Sequence, residues 1–224
     1  GDSDEAETAA SPEEPTSQAE GQEEEEPVLL SLMTNSQYDH VWEDDRRLCY
    51  VDYRRIWLDD GEDGNPETGA RGFPELARAL KERNDQTESA ARKALEEQGA
   101  QARELAAEGV FHELSSQSDA WVVRADSQVL SLLTWDYSYM GGAHGDYGYT
   151  GVTFDSRSGR ELELGEVVTD PGRLAELASD RLGEKYPDVD FFEAPQEVLK
   201  EKAEDGSLTW TAGYQGITLY FSPY

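Results

Sequence analysis

At 224 residues with 49 acidic against 19 basic side chains, a formal net charge of −30, the chain is long enough to bury a sizeable core and too acidic to bind nucleic acid. Hydrophobic residues make up 37%, with five Trp, eleven Tyr and six Phe, a content that disordered chains lack, so most of the sequence is expected to fold. The single cysteine, Cys49, excludes an intrachain disulfide framework and a thiolate zinc cluster, and its apolar, aromatic surroundings predict a buried core residue.

Residues 1–27 hold eleven Asp or Glu, no Lys or Arg and no aromatic residue, and end in Glu23-Glu24-Glu25-Glu26-Pro27. Like charges repel and extend such a segment, so it is expected to be an acidic, disordered linker. Over the rest of the chain 38 acidic residues face 19 basic ones, a balance of −19. That field attracts cationic proteins or metal ions.

From Val28 the character changes. Val28–Met33 and Leu48–Leu58 read as β segments, closed by Asp59-Asp60-Gly61 and Asn65-Pro66. Gly72-Phe73-Pro74 opens a helix that carries Leu76, Leu80, Thr87, Ala91, Leu95, Ala102 and Leu105 at three-and-four spacing. Gly109 supplies its stop and Gly99 is a candidate bend. Trp121–Val123, Val129–Tyr139, Tyr149–Phe154 and Leu162–Leu164 read as successive strands of an antiparallel meander, with a turn at Asp155–Gly159. A second helix starts where Asp170 caps and Pro171 fills the first turn, and ends near Tyr186-Pro187. A short helix over Gln196–Ala203 and a hairpin from Leu208 to Phe221 complete the chain. The fold class expected is α+β: an antiparallel sheet packed against one long and one shorter helix. The organisation expected is a linker, 1–27, then 28–115 and 116–224 as two parts of one unit.

The most distinctive stretch is Gly141-Gly142-Ala143-His144-Gly145, set between Trp135-Asp136-Tyr137-Ser138-Tyr139 and Tyr147-Gly148-Tyr149. Its glycines permit backbone geometries closed to other residues and let a partner approach the main chain. Tyr137, Tyr139, Tyr147 and Tyr149 fall on alternate positions of two strands and read as an exposed aromatic face of the kind enriched at interfaces, with core packing of half of them as the plain alternative. Gly142, His144, Gly145 and these four tyrosines are the candidate ligand-binding residues. A histidine in such a turn more often makes a local hydrogen bond than it binds a ligand.

Together with Phe154-Asp155, Ser158-Gly159, Leu162-Glu163-Leu164 and the terminal Tyr220-Phe221-Ser222-Pro223-Tyr224, this stretch resembles the extracellular domain of the RsiV anti-sigma factor family, which senses lysozyme. A similar domain accompanies PdaC-type peptidoglycan deacetylases. The resemblance implies a non-catalytic, extracytoplasmic binding or sensing domain of a bacterial surface protein, with a lysozyme-like cationic protein or peptidoglycan as partner. An accessory glycan-binding module is the alternative. No apolar run reaches the ~20 residues of a membrane helix, so a tether would lie in a segment outside this sequence.

Other chemistries find little support. Asp59-Asp60-Gly61-Glu62-Asp63-Gly64 is not an EF-hand, because Ala70 stands where the bidentate carboxylate is required. The three histidines, His40, His112 and His144, form no His-x-x-x-His pair. No Gly-x-Ser-x-Gly elbow is present. No cofactor or metal is expected.

Overall fold

The computed structural model describes residues 26–60, 65–191 and 194–221. Most of the acidic linker, residues 61–64 of the acidic turn, and Ser222, Pro223 and Tyr224 of the terminal motif lie outside the described residues. The fold is α+β. A five-stranded sheet in the order β1-β2-β3-β4-β5 is accompanied by a two-stranded sheet, β6-β7.

Strands β1 (Leu32–Glu43) and β2 (Arg46–Leu58) form a hairpin turned by Asp44 and Asp45, whose φ angles are 47° and 59°. Positive φ at both central residues gives the turn whose twist matches that of the strands, and Asp is among the few residues with a side chain that tolerate it. The sequence places the first strand at Val28–Met33. Instead β1 runs on through the polar stretch Thr34–Gln37, and before it only Leu29 makes a β-bridge, to Asp126. β1 is an edge strand with most side chains exposed, so no apolar alternation marks it.

Helix α1 (Pro74–Ala107) follows, 34 residues long and uninterrupted at Gly99. Pro74 occupies its first turn and Gly109, at φ 81°, lies just beyond its end. A helix between two strands is a crossover, and β3 (Leu114–Ala125) accordingly runs parallel to β2, pairing over Cys49–Tyr53. β4 (Val129–Tyr139) and β5 (Asp146–Asp155) then add antiparallel, so the sheet is mostly antiparallel with one parallel pair.

Beyond Tyr53 strand β2 leaves β3, which frees its backbone at Ile56. The side chain of Asn84 on α1 takes both groups, accepting from the Ile56 N–H at 3.1 Å and donating to its carbonyl at 2.8 Å. One apolar core forms where Leu76 and Leu80 of α1, with Phe73 just before it, meet Ile56, Leu58, Leu130, Leu132, Val152 and Phe154. A smaller one joins Ala102 to Leu48, Cys49 and Leu114 near the other end of the helix.

Residues Leu162–Leu164 do not form the expected strand. Glu161 makes only a β-bridge to Phe154, and a capping box between Glu163 and Glu166 starts a single helical turn, α2 (Leu164–Val167). Helix α3 (Pro171–Lys185) is capped by Asp170, whose carboxylate accepts from the Arg173 N–H at 2.9 Å. With α4 (Pro195–Asp205) and the hairpin β6 (Thr209–Ala212) and β7 (Ile217–Tyr220), these helices build another core around Leu164, Ala175, Leu199 and Trp210. Among the described residues, no helix is long and apolar enough to cross a membrane.

Candidate functional site

Adjacent residues of a strand point to opposite faces, and residues paired across strands share one face. Cys49 faces α1, since its thiol lies 3.7 Å from the Leu95 carbonyl, and Leu114 and Leu130 face α1 through their cores. The intervening positions therefore face away from the helix. The register then places Tyr38, Asp52, Gln117, Tyr137 and Tyr147 side by side in one row across all five strands. A neighbouring row holds His40, Tyr50, Ser115 and Tyr139, and Trp135 and Tyr149 pair in the row on the other side.

This face is rich in aromatic rings and held by polar contacts. Trp135 and Tyr137 stack at 5.6 Å and 15°, and Tyr38 stacks on Tyr50 at 5.6 Å and 25°. His40 meets Trp42 edge-on at 5.8 Å. Gln117 donates from Nε2 to the Tyr50 hydroxyl at 3.0 Å, which ties β3 to β2. The Arg47 guanidinium lies 4.5 Å from the Tyr50 ring centre, donates to the Tyr38 hydroxyl, and pairs with Glu113 at 2.7 Å. A trough of about 360 Å³ runs between Tyr50, Gln117, Trp135, Tyr137 and Tyr139.

The face is covered at one end only. The β6-β7 hairpin covers one end, where the Ala212 N–H donates to Ser131 Oγ at 2.9 Å and Gly151 lies directly under the Trp210 carbonyl. The rings of Trp135, Tyr137 and Tyr139 on β4 are half-buried, and across on β1 the face is open. Trp42 is 57% exposed and Tyr38 48%.

The four tyrosines singled out in the sequence lie together on this face, with Tyr137 and Tyr147 as direct cross-strand partners. The glycine loop borders it. Gly141 and Gly142 take φ of 91° and 110°, which restricts both positions to glycine, and the Gly142 carbonyl accepts from the Tyr139 hydroxyl at 2.9 Å. Gly145 packs under the Tyr137 ring. His144 is exposed, and its ring nitrogen Nδ1 lies 3.3 Å from the carbonyl of the next residue, Gly145. It makes no ring contact with the tyrosines.

Sequence reasoning missed Tyr38, His40, Trp42, Tyr50 and Gln117, which reach the face only through the register of β1, β2 and β3. Their spacing alone carried a signal: Tyr38, His40 and Trp42 alternate along one strand. Cys49 is fully buried, and that burial pushes its thiol above the ordinary range, away from nucleophilic use. Among the described residues, no group of three or more His, Cys, Asp or Glu is placed to hold a metal ion.

No protein-family model matches the chain, and no curated protein is detectably similar to it. Solved structures are. A DUF3298 family member from Bacteroides fragilis superposes with a TM-score of 0.50 at 14% identity, covering 77% of this chain and 75% of that one. The chain has the fold of a DUF3298 protein. A second DUF3298 family protein, from Pseudomonas aeruginosa, matches with a TM-score of 0.44 at 16% identity over 70% of this chain. This chain spans 65% of the length of that Pseudomonas protein. At such identities the DUF3298 likeness is one of fold, and the chemistry of the aromatic face has to be argued from its own residues.

Proposed function

We propose that this is a non-catalytic, extracytoplasmic binding or sensing domain that docks a cationic, lysozyme-like protein on the aromatic face of its sheet. The observation that carries the reading is the row of Tyr38, Asp52, Gln117, Tyr137 and Tyr147 across five strands, exposed at Tyr38 and Tyr147 and flanked by the exposed Trp42 and the half-buried Trp135. Soluble proteins rarely leave so large an aromatic surface open without a partner, and Tyr and Trp dominate the energetic centres of interfaces. The −19 balance over residues 28–224 favours a partner of positive charge and steers its approach. The resemblance of the glycine loop to the RsiV family supports the surface location and the class of partner.

The test is calorimetric titration of hen lysozyme at low and at physiological salt, on the wild type and on Trp135→Ala and Tyr38→Ala. Binding that persists at physiological salt and weakens by about 1–3 kcal/mol in each variant is the expected result. No binding at either salt overturns the proposal. So does binding that vanishes at physiological salt and ignores both substitutions, which is charge attraction alone.

The trough beside Gln117 favours a second reading, a glycan-binding module. Stacked rings next to an amide, a hydroxyl and Glu113 are suited to sugar rings as well as to protein side chains. Retention on insoluble peptidoglycan with no affinity for lysozyme would select it.

A further inference from the structure

On the opposite side of the sheet, independent of the docking face, we infer a second site: the groove between the middle of α1 and strands β3 to β5 binds a neutral saccharide of one or two rings.

The sheet-facing stripe of α1 changes character along its length. Leu76 and Leu80 at one end and Ala102 at the other sit in apolar cores. Between them the stripe carries Thr87, Ala90, Ala91 and Ala94, too short to reach the sheet. Below lie Ser116 and Ser118 of β3, Asp136 and Ser138 of β4, and Asp146 of β5, which the register places on the helix side. The result is a groove of about 580 Å³, within the ~300–1,000 Å³ of small-molecule sites. Since α1 packs on β1, β2 and β3, the groove opens toward β5, where Asp136 and Asp146 are exposed.

Its polar groups are not used up by the fold. The side chains of Ser118, Asp136, Ser138 and Asp146 make no hydrogen bond to any described residue. One turn past Ala94, Gln98 is 1% exposed; its Nε2 donates to Ser116 Oγ at 2.6 Å while its Oε1 has no partner. One turn before Thr87, Arg83 forms no ion pair among the described residues, although burial strips its hydration and holds its guanidinium below the ordinary pKa, with Asp136 and Glu161 as its nearby charges. Ser118 and Ser138 are half-buried and Asp136 and Asp146 exposed, all available to a ligand in the groove, and the buried, unpartnered Gln98 Oε1 belongs to the side chain that donates to Ser116 of its lining.

The lining selects the ligand. Two carboxylates reject an anion and ask for O–H or N–H donors. The serines and Gln86 both give and accept, which a bare cation cannot answer. Ala90, Ala91, Ala94 and Val51 offer an apolar strip for ring C–H groups. A saccharide presents donors, acceptors and an apolar ring face without charge.

The probes are cellobiose and N,N′-diacetylchitobiose at about 10 mM, with spermidine as a cationic comparison, read by saturation-transfer NMR. Ala91→Leu fills the groove from the helix, where Leu is a good helix former. Asp136→Asn alters an exposed floor residue and keeps the proposal testable if the first variant does not fold. Expected are saccharide signals with the wild type and with Trp135→Ala, and an affinity at least about tenfold weaker in either groove variant. Absence of any saccharide signal, preference for spermidine, or signals lost in Trp135→Ala but kept in both groove variants would each overturn the assignment.

Discussion

The ring of Tyr137 rests against the backbone of Gly145: a methyl group added to Gly145 would stand 2.5 Å from the ring's Cε2, Cζ and hydroxyl oxygen. Gly145 has no positive φ, so the glycine is required here by the close approach of a side chain and not by backbone conformation. Gly145→Ala is expected to push Tyr137 off the aromatic row, costing about 1–3 kcal/mol as overpacking. The double variant Gly145→Ala, Tyr137→Ala should cost less than the sum of the two single changes, because the clash is gone. Urea denaturation of the four proteins measures the coupling, and strict additivity would show that the two residues do not meet.

How far this surface can be read from the sequence follows from the same pair. The loop is visible as three glycines around a histidine, and Tyr137, Tyr139, Tyr147 and Tyr149 as a period of two. That Gly145 accommodates Tyr137, eight positions back, depends on how the loop folds over β4. Likewise Tyr38, Tyr50 and Gln117 are far apart in sequence, and only the parallel pairing of β2 with β3 lines them up with Tyr137. A long helix between two strands was legible from its three-and-four spacing, while the parallel pairing of β2 with β3 that it connects departs from the antiparallel expectation. The antiparallel expectation for the remaining strands holds because short turns such as that between β3 and β4 allow nothing else. Edge strand β1 stayed hidden in its first half, where Thr34–Gln37 put polar side chains on both faces, and only Tyr38, His40 and Trp42 carry a period of two.

Asp126 is expected to make the fold sensitive to acid. It is 1% exposed, pairs with Arg124 at 2.7 Å, and accepts from the N–H groups of Gln128 and Val129 at 2.9 and 3.0 Å. Burial alone would raise its pKa, but the Arg124 hydrogen bond and the two backbone donors outweigh it and hold the carboxyl below 3.8. A carboxyl depressed in the folded state contributes stability that is complete above its unfolded value and lost as pH falls through the folded one. Stability should therefore decline below about pH 4, and Asp126→Ala should flatten that decline while costing about 3 kcal/mol at neutral pH through the unpaired Arg124. Denaturation midpoints at a series of pH values test this; an unchanged acid slope in the variant would assign the sensitivity to other carboxylates.

Where β2 departs from β3, Asn84 substitutes for the missing strand at Ile56. Asn84→Leu keeps the helix and the bulk but leaves both Ile56 backbone groups without partners. The expected cost is about 1–3 kcal/mol, with faster hydrogen exchange at the Ile56 amide specifically. Exchange that speeds up evenly along β2 would mean that the whole strand, and not this one junction, depends on Asn84.

Two glycines of β5 separate the docking of the β6-β7 hairpin from the stability of the strand itself. A methyl group on Gly151 would lie 1.7 Å from the Trp210 carbonyl oxygen, a backbone atom that can yield only if the hairpin lifts. A methyl on Gly148 meets nothing within 4 Å. Neither residue has positive φ, so alanine suits the local backbone at both. Gly148→Ala is expected to be neutral or stabilising by up to about 1 kcal/mol, through a less flexible unfolded chain. Gly151→Ala should destabilise by about 2–4 kcal/mol and expose Trp210, which is 8% exposed in the fold, to a fluorescence quencher. Because Ser131 and Thr153 sit beneath the same hairpin, joined at 2.8 Å with Ser131 also bonded to Ala212, lifting it would leave buried hydroxyls without their backbone partner. The damage should thus stay at the covered end of the sheet: the Trp135 to Tyr139 end, away from the hairpin, is expected to keep its ring stacking and its affinity for any partner docked there.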